Sequence, residues 1–217
     1  MVHSVTRSGP SRSFPAAHPL LDAAAADGDI LVLVGHGAGL AYTALAEKAR
    51  YTAILVELGT ECLGVHTGEG RGEEGSNVLG FARFCLGKAP PSDLVEIVRQ
   101  PRTRPDALDA ARSLFEAYDL KTAVCGDFPG RIVDRLVRPY YNAALNRLDS
   151  KLASASDMDL TLRLGLGYPE GPIELLERTG LADHHDVTLA VYQALGDPAY
   201  APARRAQVAK AGQRREG

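Results

Sequence analysis

The sequence has no surplus of charge that would mark a polyanionic partner. Its 24 Lys and Arg residues stand against 27 Asp and Glu, a net charge of -3. Neither nucleic acid nor an anionic membrane surface is indicated by that balance. Cysteine is scarce and unpatterned. Cys62, Cys85 and Cys125 form no C-x-x-C pair, which argues against a zinc ligand set and a disulfide framework and suits a reducing cytoplasm. Long hydrophobic runs are missing too: the longest, Ile30 to Val34, is far too short to span a bilayer. The opening VHSVTRSGPSRSFPAAHP has basic residues without the apolar segment of a secretory signal. Its Ser, Pro and Arg content reads as a flexible leader over residues 1–19. What remains is a chain of 217 residues, 45% apolar and 24% charged, enough for one large domain or two small ones.

Two apolar runs, DILVLV at 29–34 and TAILVEL at 52–58, flank a segment of helical composition at 39–50. That order implies a β-α-β crossover and a parallel sheet. A short helix is expected at 20–26. Further strands are expected at 78–84, 94–98 and 121–125, with an amphipathic helix at 104–118. Residues 64–75, GVHTGEGRGEEG, read as a mobile loop whose Glu69, Glu73 and Glu74 would repel a phosphate. After Gly126 the pattern turns helical. A wide apolar stripe runs from Ile132 to Leu148, then helices are expected at 157–164 with Ser156 as N-cap, at 171–179 with Gly180 beyond its end, and at 182–195. The expected domains are an α/β part at 20–127 and an all-α part at 128–217.

Candidate chemistry is sparse. Gly35-His36-Gly37-Ala38-Gly39-Leu40 follows a strand and opens a helix, and Glu57 lies 20 residues after Gly37. This is the outline of a dinucleotide fingerprint, with Leu40 in place of its third glycine, so Gly35, Gly37 and Glu57 are the candidate cofactor-binding residues. His36 and His66 read as solvated surface residues. The adjacent His184 and His185 cannot converge on one metal ion, and Cys62 and Cys85 read as buried apolar residues.

Two longer motifs carry a resemblance. DFPGRIVDRLVRPYYNAA at 127–144 and SASDMDLTLRLGLGYPEGPIEL at 154–175 are similar to the domain junction and the helical domain of the 3-hydroxyacyl-CoA dehydrogenase family, and the likeness extends over residues 29–205. It implies a partial Rossmann-like sheet followed by a helical dimerisation domain, which in the family closes over an acyl-CoA and nicotinamide cleft. It also implies a different register for the glycine loop. DILVLVG then falls on a later strand, the fingerprint strand and helix are absent, and the sheet is too small to hold NAD in the usual way.

The family oxidises its substrate with a His–Glu pair, the histidine taking the hydroxyl proton and the glutamate orienting it. Within the resemblance Ala82 occupies the histidine position, Glu96 the glutamate position and Asp134 an asparagine position, while Glu61 or Cys62 replaces a serine. Glu96 and Asp134 are therefore the candidate catalytic residues, and Arg83 would pair with Glu96 only after a one-residue strand shift. The chain ends VAKAGQRREG without aromatic residues, which implies that the last packing element of the helical domain is missing or frayed. Three functions stay open. One is a catalytically impaired homodimer that faces acyl-CoA and needs no cofactor. The second is an active NAD-dependent oxidoreductase of fatty-acid metabolism with an altered site. The third is a partner subunit of a full-length dehydrogenase.

Overall fold

The computed structural model describes residues 2–68 and 76–216. It divides into two compact units, Met1–Cys85 with Pro91–Ile132, and Leu86–Pro90 with Val133–Gly217. The first is an α/β unit. Six strands lie in the order β1 (His3–Arg7), β2 (Ile30–Val34), β3 (Ala53–Glu57), β4 (Val78–Arg83), β5 (Leu94–Arg99) and β6 (Lys121–Gly126). β1 to β4 run parallel, β5 is antiparallel to β4, and β6 is parallel to β5. All residues of β2, β3 and β4 are buried, as continuous apolar runs in a covered parallel sheet require. One face packs on α1 (Pro19–Asp22) and α4 (Pro105–Glu116) through Leu20, Val32, Leu55, Phe81 and Phe115; the other packs Leu33, Tyr42, Ile54, Leu63 and Val98 under α2 (Ala38–Ala44) and α3 (Gly64–Thr67).

The leader expected at 1–19 is structured instead. Its residues 3–7 form the edge strand β1, paired in register with Ile30–Val34. An edge strand needs only one neighbour, and here buried polar groups do the anchoring: the His3 imidazole lies 2.6 Å from the carbonyl oxygen of Leu20. Helix α1 is shorter than expected, and the helix expected at 39–50 ends at Ala44, with a separate 3-10 turn at Lys48–Arg50. Residues 64–67 of the expected loop form the single turn α3; residues 69–75 lie outside the described residues.

The second unit holds α5 (Arg131–Asp149, from Val133 onward), α6 (Ala155–Leu166), α7 (Pro172–Thr179), α8 (Leu181–Leu195) and α9 (Arg204–Glu216). The boundary thus falls at 132/133 rather than 127/128, and Leu86–Pro90 counts with the helices. The Gly87 amide donates to the Asp183 carboxylate and the Lys88 amide to the Thr179 carbonyl. The glycine-rich motif is a corner built for close approach. The Asp159 carboxylate of α6 accepts the first-turn amides of α7 at Ile173 and Glu174, both at 2.9 Å. A Cβ at Gly171 would sit 2.2 Å from the Asp159 side chain, so no larger residue fits there. Ser154, rather than Ser156, caps α6.

Helix α9 contradicts the expectation of a missing or frayed last element. It packs through Ala206, with Ala203 just ahead of it also buried, and Arg204 and Arg205 both pair with Asp149. Small residues and ion pairs replace the aromatic anchor that the sequence lacks. Pro139 inside α5 removes the donor that would serve the carbonyl four residues earlier. The hydroxyl of Tyr200 donates to that carbonyl, Arg135 O, at 2.9 Å.

At the centre of this unit His184 and Arg138 are fully buried. Arg138 Nε donates to Asp134 at 2.7 Å, and its Nη1 lies 3.1 Å from His184 Nδ1. Arginine only donates, so His184 Nδ1 accepts and its Nε2 donates to Asn142 Oδ1 at 3.0 Å. Burial, then the Arg138 charge, pushes the imidazole down to about 3. The unfolded chain protonates this histidine near its ordinary value, while the folded chain resists. Its contribution to stability is therefore complete above about pH 6.5 and is lost as pH falls toward about 3, at up to ~1.4 kcal/mol per pH unit. Urea unfolding between pH 7 and pH 4 should show that slope, and His184→Gln should flatten it; an unchanged slope in the variant would place the pH dependence elsewhere.

Candidate active site around Ala82, Glu96 and Arg131

β4 and β5 pair so that Ala82 lies directly opposite Glu96. Both are buried, on the sheet face that carries Val78, Val98 and Cys125. Facing residues across an antiparallel ladder have Cβ atoms about 5 Å apart. Residue 82 is thus a direct cross-strand neighbour of Glu96, and as alanine it offers no proton acceptor.

The carboxylate is engaged from the N-terminus of α5. Ile132 N donates to Glu96 Oε1 at 2.8 Å, and Arg131 Nε lies 4.0 Å from Oε2. Arg131 also donates through Nη2 to the Gly59 carbonyl. The next residue back, Gly130, donates its amide to Thr60 O at 2.9 Å. Arg131 is itself buried, its Nε and Nη1 have no hydrogen-bond partner, and its backbone sits at φ +48°. That left-handed conformation costs a non-glycine residue on the order of 1 kcal/mol. The segment before it is fixed by a second carboxylate: Asp127 accepts from the amides of Leu63 and Gly64 at 2.6 and 2.8 Å and from Gln100 Nε2 at 2.9 Å. Burial, and then the Glu96 charge, push the neighbouring Cys125 thiol up to about 11, so it is no nucleophile near neutrality.

Arg83 takes no part. It sits one residue on, and strand alternation turns it to the opposite face. There it donates to the carbonyls of Ser13, Ser92 and Pro91. The one-residue shift that would bring it to Glu96 does not occur. Asp134 lies in the helical unit, held by Arg138.

Gly35, Gly37 and Glu57 do come together, in a way that uses up the loop. Glu57 is buried and accepts from Gly35 N at 2.6 Å, Ser13 N at 2.7 Å and Ser11 Oγ at 2.9 Å. His36 N donates to Pro10 O, Gly37 N to Ser8 O, and Ala38 N to Gly35 O. A phosphate cradle works by presenting unpaired amides, and every amide from Gly35 to Ala38 already has a partner. Helix α2, which follows, has two turns at most, and the strand order runs from β1 to β6 without a reversal, so the crevice that forms where strand order reverses is lacking among the described residues. The residues present do not fit a dinucleotide pyrophosphate. Gly39 serves another purpose: a Cβ there would lie 2.1 Å from the His66 ring. His66 is therefore packed, not solvated, with its Nε2 3.4 Å from Glu61. His36 is exposed, and Cys62 is only half-buried.

Arg131 was not singled out by its sequence. The one signal was a cation set immediately after Gly130 and ahead of an apolar stripe.

The sheet and helical unit define the class of fold seen in hydroxyacyl-CoA dehydrogenases. A crystal structure of 3-hydroxybutyryl-CoA dehydrogenase from Escherichia coli K12 superposes with a TM-score of 0.71 over 87% of this chain and 40% of that one, at 24% identity. Residues 130–216 match the model of the 3-hydroxyacyl-CoA dehydrogenase C-terminal domain. The human mitochondrial hydroxyacyl-coenzyme A dehydrogenase is 37% identical over 92 residues, 42% of this chain and 29% of that protein. The 3-hydroxyadipyl-CoA dehydrogenase of E. coli K12 is 34% identical over 106 residues, 49% of this chain and 22% of that protein. The matched stretches span less than a third of these relatives. Among the described residues no helix is long and apolar enough to cross a membrane, and no metal-ligating cluster is present.

Removing one partner of a buried ion pair costs about 3–5 kcal/mol, whereas replacing both with apolar residues is often near neutral. Arg131→Leu should destabilise the sheet unit by that amount in urea unfolding. The double variant Glu96→Leu/Arg131→Leu should lose no more than about 2 kcal/mol, mainly the bond to Ile132 N. Additive losses would show that the two side chains are independent.

Proposed function

We propose that this chain is a catalytically impaired relative of the 3-hydroxyacyl-CoA dehydrogenases: it pairs through its helical unit, faces acyl-CoA or a full-length dehydrogenase, and transfers no hydride. The observation that carries this reading is Ala82 opposite Glu96. Dehydrogenation of a hydroxyl needs a proton acceptor beside it, and the position across from Glu96 has none. The satisfied amides of residues 35–38 point the same way, since they leave no cradle for NAD. Pairing is supported by Leu136 of α5 and Leu160 and Leu164 of α6, all exposed; apolar residues left in water at helical spacing favour burial against a second surface. Charge and cysteine usage favour a cytoplasmic setting.

The second reading is an active NAD-dependent 3-hydroxyacyl-CoA dehydrogenase of fatty-acid metabolism with an altered site. Its support is the family match over residues 130–216, and it requires a proton acceptor other than residue 82. Fluorescence titration of NADH, with and without acetoacetyl-CoA, separates the two. The expected result is no saturable NADH signal from a folded protein that sediments as a dimer. Saturable NADH binding would sink the impaired reading, and a monomer at micromolar concentration would sink the pairing. Capture of a full-length dehydrogenase by the helical unit would identify the partner.

A further inference from the structure

We infer that Arg131 is a resident counter-ion, a positioning residue that holds the Glu96 carboxylate toward α5 and withholds it from any group that position 82 presents. Three observations carry this. Glu96 and Ala82 face each other across the ladder, so a base at 82 would be the carboxylate's natural partner. Arg131 is buried against the same carboxylate, Nε to Oε2 at 4.0 Å, while Ile132 N takes Oε1. Finally, Arg131 holds this place at a cost, with a left-handed backbone and two buried N–H groups unpaired. A position kept despite backbone strain and lost hydrogen bonds is one the surroundings enforce. Here the enforcing term is charge: a buried carboxylate without a cation is worse than a strained arginine beside it.

The inference makes no assumption about NAD, so it stands or falls apart from the reading above. The groups gathered at this face are Glu96 from β5, Arg131 from α5, Cys125 from β6 and Asp127 beyond it. The test introduces an imidazole with Ala82→His and follows its titration by NMR. With Arg131 present, the imidazole should titrate at or below its ordinary value of about 6.5, despite facing a carboxylate. In Ala82→His/Arg131→Gln its proton affinity should rise at least tenfold, and Arg131→Lys should restore the low value. A raised value in Ala82→His alone overturns the inference without any change at Arg131. So does an unchanged value on Arg131→Gln.

Discussion

A carboxylate buried at Glu96 is the constraint around which the segment from Asp127 to Ile132 is arranged. An unpaired ionised group there would cost several kcal/mol. The chain supplies an amide from Ile132 and a guanidinium from Arg131, and it bends residue 131 into a left-handed conformation to do so. Asp127 repeats the logic one turn earlier, by taking the amides at the start of α3 and the Gln100 side chain. The path of the chain out of β6 is thus set by two anions and their donors, and the entry of α5 follows from that path.

Much of this was legible in the sequence where the signal is local. ILVLV and AILVE are strands because continuous apolar runs fill a sheet covered on both faces, and the stripe of α5 and the Gly-Tyr-Pro corner announced helices and their junction. What was not legible depends on partners distant in sequence. β1 has the composition of a leader, and its strand state comes from pairing with Ile30–Val34. Helix α9 has no aromatic residue, and its docking rests on Asp149, more than fifty residues earlier. The helix expected at 39–50 had the right composition throughout and still stopped at Ala44.

The glycine loop marks the limit of motif reading most clearly. Gly35, Gly37 and Glu57 occur at spacings that a dinucleotide site uses, and the fold bonds the Gly35 amide to Glu57 while the Gly37 amide goes to Ser8. Spacing specifies which groups meet; it does not specify whether any donor is left over. Glu57 takes the Gly35 amide along with Ser11 and Ser13, so the edge strand and its following loop are fastened to the sheet by the groups that a phosphate would need. The same residues cannot perform both tasks at once, because each amide has one proton to give.

Asp134 shows the converse. At an isolated catalytic position a carboxylate invites an acid–base role, yet this one neutralises Arg138, which is wholly buried and hydrogen-bonded to His184, itself bonded to Asn142. In both units a buried arginine is paired with a carboxylate, Arg131 with Glu96 and Arg138 with Asp134. A guanidinium cannot shed its proton to escape burial, whereas a carboxylate or an imidazole can. Arg138 therefore keeps its charge inside the helical unit, and Asp134, bonded to it, is engaged as its counter-ion.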